Sequence, residues 1–131
     1  MTLIRNSKQV CQSIDFSGIE NGKIHPSDID AVLEFDNDAL ILMEVKRKGN
    51  EIPLGQKLLL QRICDNWKNN KSVVLYITHE FFDVSKDIPL SECIVKSIYW
   101  NGHWYDNKIK NLKSILNSLG KKWKIDKLKI K

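Results

Sequence analysis

At 131 residues the chain is long enough for one domain with a substantial core, without metal or disulfide staples. Hydrophobic residues make up 42% and charged residues 28%, which excludes a disordered chain, and no apolar run approaches the ~20 residues of a membrane span. The net charge of +5 is uneven: residues 108–131 hold nine lysines against Asp126 alone, so the rest of the chain is acidic on balance.

Residues 2–14 predict a first helix, with Leu3, Ile4, Val10 and Ile14 on one face. Residues 15–26 contain Gly18, Gly22 and Pro26 and read as loop. Two strands follow, around the turn Asp36-Asn37-Asp38. Pro53 then leads into a helix over 53–68, where Leu54, Leu58, Leu59, Ile63 and Trp67 recur at helical spacing. Residues 71–80 predict a β-branched buried strand, and residues 93–106 a hairpin turning at Asn101-Gly102. A short helix over 108–120 closes at Gly120, before a lysine-rich stretch over 121–131. The expected whole is a single α/β domain, a small mixed sheet flanked by helices.

The first hairpin has a register fixed by its apolar residues. A three-residue loop pairs Phe35 with Ala39, Leu33 with Ile41, Ala31 with Met43 and Ile29 with Val45, so all eight apolar side chains share one face. A one-residue slip would scatter them over both faces. Asn37 or Asp38 can supply the left-handed residue such a loop needs. The same register sets Asp30 opposite Glu44 and Asp28 opposite Lys46. Facing Cβ atoms lie ~4.5–5.5 Å apart, and like charges there are destabilising. Asp28 with Lys46 is expected to be an ordinary ion pair. Asp30 against Glu44 needs another cause, and two converging carboxylates suit a hard divalent cation such as Mg²⁺. Lys46, two residues on along the same face, can orient a water or stabilise charge on a phosphate.

Asp30 followed by Glu44-Val45-Lys46 on the next strand resembles the D…(D/E)xK signature of the PD-(D/E)XK nuclease superfamily, over roughly residues 20–62. Gln56, after Gly55 at the start of the following helix, matches a glutamine that several branches carry facing the site. The family's aspartate follows proline directly. Here Pro26-Ser27 precede both Asp28 and Asp30, and Asp30 is preferred because it faces Glu44. The resemblance implies a restriction-endonuclease-like core, normally with a further strand before the one bearing the aspartate. It implies Mg²⁺, with Mn²⁺ able to substitute, held by Asp30, Glu44 and the Val45 carbonyl. Lys46 and Gln56 would position the attacking water and the scissile phosphate, Asp28 would stand behind Asp30, and Glu20 is available as an extra ligand. It also implies DNA as partner, structure-selective cleavage in the manner of a Holliday-junction resolvase or small phage-type nuclease, and a homodimer.

The basic stretch fits such a partner: Lys48, Lys121, Lys122 and Lys124 are candidate phosphate contacts, with Trp123 among them able to stack on a base. The bland alternative is a solvated tail. Two further readings are a nuclease acting on DNA ends or nicks, and a catalytically idle nucleic-acid-binding module. An idle site has no reason to keep a repulsive carboxylate pair. Cys11, Cys64 and Cys93 lack CxxC spacing and read as reduced thiols. With no apolar signal-peptide block at the N-terminus, the expected location is cytoplasmic.

Overall fold

The computed structural model describes residues 13–131. The expected first helix falls largely on residues outside the described ones, and Ser13 and Ile14 are not helical. The elements are β1 (Ala31–Phe35), β2 (Ala39–Arg47), α1 (Leu54–Asp65), β3 (Ser72–His79), β4 (Ile94–Trp100), β5 (His103–Asp106) and α2 (Leu112–Trp123). They form an α/β arrangement in which one five-stranded sheet runs in the order β1-β2-β3-β4-β5. β2 and β3 are parallel, joined through α1; every other neighbouring pair is antiparallel. Among the described residues no helix is long and apolar enough to cross a membrane.

The hairpin register follows from its alternation: Ala31 pairs with Met43, Leu33 with Ile41 and Phe35 with Ala39. Asp36 and Asn37 both take positive φ, and Asp38 N–H closes the turn on the Phe35 carbonyl at 2.8 Å. The left-handed residues are thus Asp36 and Asn37, not Asp38. The expected rung between Ile29 and Val45 is missing, because β1 begins only at Ala31. Ile29 packs instead with Leu40 and Leu42, on the opposite face from Ala31.

Both faces of β2 are covered, as its nearly continuous apolar run ALILM requires of a strand with a parallel neighbour. Ile41 and Met43, with Leu75 and Ile77 of β3, bury against α2. Leu40 and Leu42, with Val74 and Tyr99, bury against Leu60 and Cys64 of α1. The inward stripe of α1 therefore runs through Leu60, Ile63 and Cys64, and Leu54 is exposed although its spacing suggested a core position. Gln56 lies one turn before Leu60 and shares that inward face. Cys64 and Cys93 are buried free thiols.

The C-terminal part departs most from expectation. Residues 108–111 are not helical; Asn111 caps α2 by accepting a hydrogen bond from Ser114 N–H at 3.0 Å. The helix does not stop at Gly120 but continues to Trp123, and left-handed Lys124 ends it. Gly120 has another purpose: a Cβ there would collide with the Leu128 carbonyl, so its bare backbone lets the following segment fold back across the helix. Trp123, Ile125 and Leu128 are buried in the α2-side core, and Asn117 holds Ile130 through both its amide groups. The lysine-rich stretch is a folded part of the domain rather than a solvated tail.

Candidate active site

The polar group at the carboxyl end of β2 is built by three short pieces of chain. β2 carries Glu44 and Lys46 on its α1 side; the first turn of α1 supplies Gln56; the residue just before β1 supplies Asp30. The Asp30 carboxylate accepts the Val45 N–H at 2.7 Å, taking the place of the carbonyl that a longer β1 would present. That is why the ladder stops there, and it fixes Asp30 beside Glu44.

Glu44 is the unusual member. It is 1% exposed, yet its carboxylate is only half satisfied. Oε1 accepts from Lys46 Nζ at 3.1 Å and from Gln56 Nε2 at 2.9 Å. Oε2 is buried without a hydrogen-bond partner. Burial pushes the Glu44 carboxyl above its ordinary value of 4.5, and the neighbouring Asp30 charge adds to the rise; Lys46 opposes it. A buried acceptor oxygen left bare costs roughly 1–3 kcal/mol, a cost that a proton, a water or a cation at Oε2 would relieve.

Gln56 also donates to the Asp28 carbonyl at 3.1 Å. Its amide thus ties the Asp28–Asp30 segment to Glu44 and orients the carboxylate, a positioning task. Lys46 is a quarter exposed, so its ammonium bridges the buried carboxylate and solvent. The expected pair between Asp28 and Lys46 does not form: the chain leaves strand geometry at Asp30, and Lys46 turns to Glu44. Asp28 offers only its carbonyl to the group. Glu20 lies in the exposed segment before β1, without a hydrogen bond to the group among the described residues, and residues 13–30 contain no strand.

The predicted basic contacts are dispersed. Lys48 pairs with Glu80 at 2.9 Å, near the carboxylate group. Lys122 lies 3.8 Å from the centre of the Trp100 ring. Lys124 sits with Lys127 near the hairpin tip, where Lys127 pairs with Asp36. Lys121 projects from the same end of α2. That tip is at the far end of β2; the five residue steps from Ala39 to Glu44 alone span ~16 Å. Tyr76, the rung partner of Glu44 on β3, belongs to the same neighbourhood and gives its hydroxyl to the Asn50 carbonyl. Nothing in its apolar strand sequence signals that role.

Two carboxylates with a bare buried oxygen, a backbone carbonyl at Val45 and an adjacent ammonium fit a hard, oxygen-liganded cation. Among the described residues no cluster of three or more His, Cys, Asp or Glu side chains gathers, so carbonyl and water oxygens would complete the shell. Comparison with protein-family models, with curated proteins and with solved structures finds no match for this chain.

Proposed function

We propose that the protein is a metal-dependent DNA endonuclease of the PD-(D/E)XK type. The observation that carries this reading is the buried Glu44 carboxylate with its unpartnered Oε2, set beside Asp30 and Lys46. Supporting it is the order of elements: a hairpin with the aspartate before its first strand and Glu-x-Lys on its second, then a helix, then a parallel strand. A restriction-endonuclease-like core has that order.

In this reading Asp30, Glu44 and the Val45 carbonyl hold Mg²⁺, with Mn²⁺ able to replace it. The bound ion would supply Lewis acidity toward a phosphate oxygen and a water of lowered pKa. Lys46 places positive charge where the attacking water meets the scissile phosphate, and its stem stays fixed by the contact with Glu44. Gln56 keeps Glu44 and the Asp30 segment in register rather than touching substrate. The C-terminal lysines would hold DNA backbone away from the cut. Structure-selective cleavage of a four-way junction is the preferred branch; paired symmetric cuts then require a homodimer.

The test is incubation with Mg²⁺ and linear, nicked, branched and four-way DNAs, with Lys46→Ala alongside. The alanine variant should lose about 10²–10³-fold in cleavage rate while its affinity for DNA in chelator stays within about twofold of the parent. Parent-like cleavage by the variant removes Lys46 from the mechanism. Absence of metal-dependent cleavage of every DNA by the parent removes the enzyme reading.

A further inference from the structure

A cleft of about 600 Å³ opens at the carboxyl ends of β2 and β3, the place where open sheets with parallel strands receive ligands. It adjoins the carboxylate group without including it: Thr78, in its wall, is the rung partner of Lys46. None of the residues assigned above to metal or water lines it, so its contents are a separate question.

Its charge is set by an irregularity in the sheet. Tyr76 pairs with Ser97 and Ile77 with Val95, which leaves Lys96 as the extra residue of a β-bulge. Bulges re-aim side chains, and this one sends Lys96 into the cleft, with its Nζ 5.1 Å from the centre of the Tyr76 ring. Lys110 enters from the segment whose carbonyl accepts the Val95 N–H. Neither lysine is in an ion pair among the described residues, and both are exposed. Of the two acids lining the cleft, Glu80 is engaged by Lys48, leaving Glu92 against two free ammonium groups.

The wall also offers a flat apolar face. Phe81 is 39% exposed and stacks on His79 with ring centres 6.2 Å apart. Free cations beside an exposed aromatic ring are the means by which proteins hold unpaired nucleic acid, phosphates on the lysines and a base on the ring. Width decides between one strand and two. The three strand ends crossed by the cleft span ~10 Å, less than the ~12 Å breadth of a duplex major groove alone.

We propose that this cleft binds an unpaired DNA strand beside the cut site, with Lys96 and Lys110 contacting phosphates and Phe81 stacking on a base. The choice of DNA rests on the nuclease reading; the single-strand geometry does not. The substrate is then DNA in which a strand parts from its partner at the point of cleavage, as at a branch point, rather than continuous duplex.

The experiment is fluorescence anisotropy of a short labelled oligothymidine with the full chain in chelator, over a salt series, so that binding is read without cleavage. Lys96→Ala/Lys110→Ala should bind about tenfold more weakly, with a salt slope shallower by about 1.4, two contacts at about 0.7 each. Phe81→Ala should weaken binding about five- to tenfold with the slope unchanged. All three side chains are exposed, so melting temperatures should match the parent. Parent-like affinity and slope in both variants, or no binding of the strand by the parent, overturns the cleft even if Mg²⁺-dependent cleavage is found. Strand binding that depends on these residues, with no cleavage of any DNA, upholds the cleft and removes the nuclease reading.

Discussion

Glu44→Gln will stabilise the metal-free protein by about 1 kcal/mol, abolish its stabilisation by Mg²⁺ and eliminate cleavage. The carboxylate is buried with one oxygen bare, next to a second carboxylate, so its charge is held at a cost. Glutamine keeps the shape and removes the charge, while Lys46 retains its access to water. The parent alone can gain the binding term RT ln(1 + [L]/Kd), roughly 1.4 kcal/mol when metal exceeds its dissociation constant about tenfold. Loss of a ligand should also reduce cleavage by more than the roughly 10–100-fold that removing a ligand's supporting partner costs. The pH dependence has a definite sign. Since the folded-state pKa of Glu44 is raised above 4.5, the native chain holds that proton where the unfolded chain has lost it. Its contribution is present below 4.5 and lost as pH rises through the raised value, so the metal-free parent should weaken there and the variant should not. Thermal unfolding of both proteins, with chelator and with millimolar Mg²⁺ across that range, measures the stability effects, and a cleavage assay measures the loss of activity. Equal metal-induced shifts in parent and variant would sink the metal site.

Trp123→Ala will cost about 3–5 kcal/mol, a large part of the roughly 5–15 kcal/mol by which a domain is stable. Trp123 is 6% exposed, and Ile125 and Leu128 just after it are also buried. Ending the chain at Gly120 should therefore abolish cooperative unfolding instead of merely trimming basic surface. Urea titrations of the alanine variant and of the shortened chain make the measurement. A shortened chain with the parent's midpoint would mean that the core closes without this segment.

The apolar set at alternate positions of the two strands made the hairpin register legible, although Val32, Leu40 and Leu42 break the alternation. The same pattern failed at Ile29. A side chain can replace a carbonyl as the acceptor for a strand N–H, and Asp30 does so, but alternation carries no trace of it. Asp30, Glu44, Lys46 and Gln56, read as a group, do meet: alternation along β2 sets Glu44 and Lys46 on one face, the Asp30 bond to the Val45 N–H holds the third, and α1 brings Gln56. The bare oxygen of Glu44 was not legible, since burial of its face depends on α1 docking over β2. The burial of Trp123, Ile125 and Leu128 was hidden for a related reason. Charge dominates the composition of that stretch, yet its apolar residues are spaced to meet a core that only the tertiary fold creates. Lys96 went unnoticed because a bulge is a property of two strands together.

The fold-back of residues 123–128 over the α2-side core sets a timetable for synthesis. The hairpin residues they help to cover, including Phe35, Ala39, Ile41 and Met43, are made some 85 residues earlier. At ~5–20 residues per second the ribosome leaves that apolar face without its last cover for roughly 4–17 s. Glu34, Asp36 and Asp38 crowd the tip of this early hairpin, and acidic charge of that kind discourages sticky strands from pairing with other nascent chains. Asp36 later receives Lys127. A charge that protects the unfinished hairpin thus becomes an anchor for the segment that completes it.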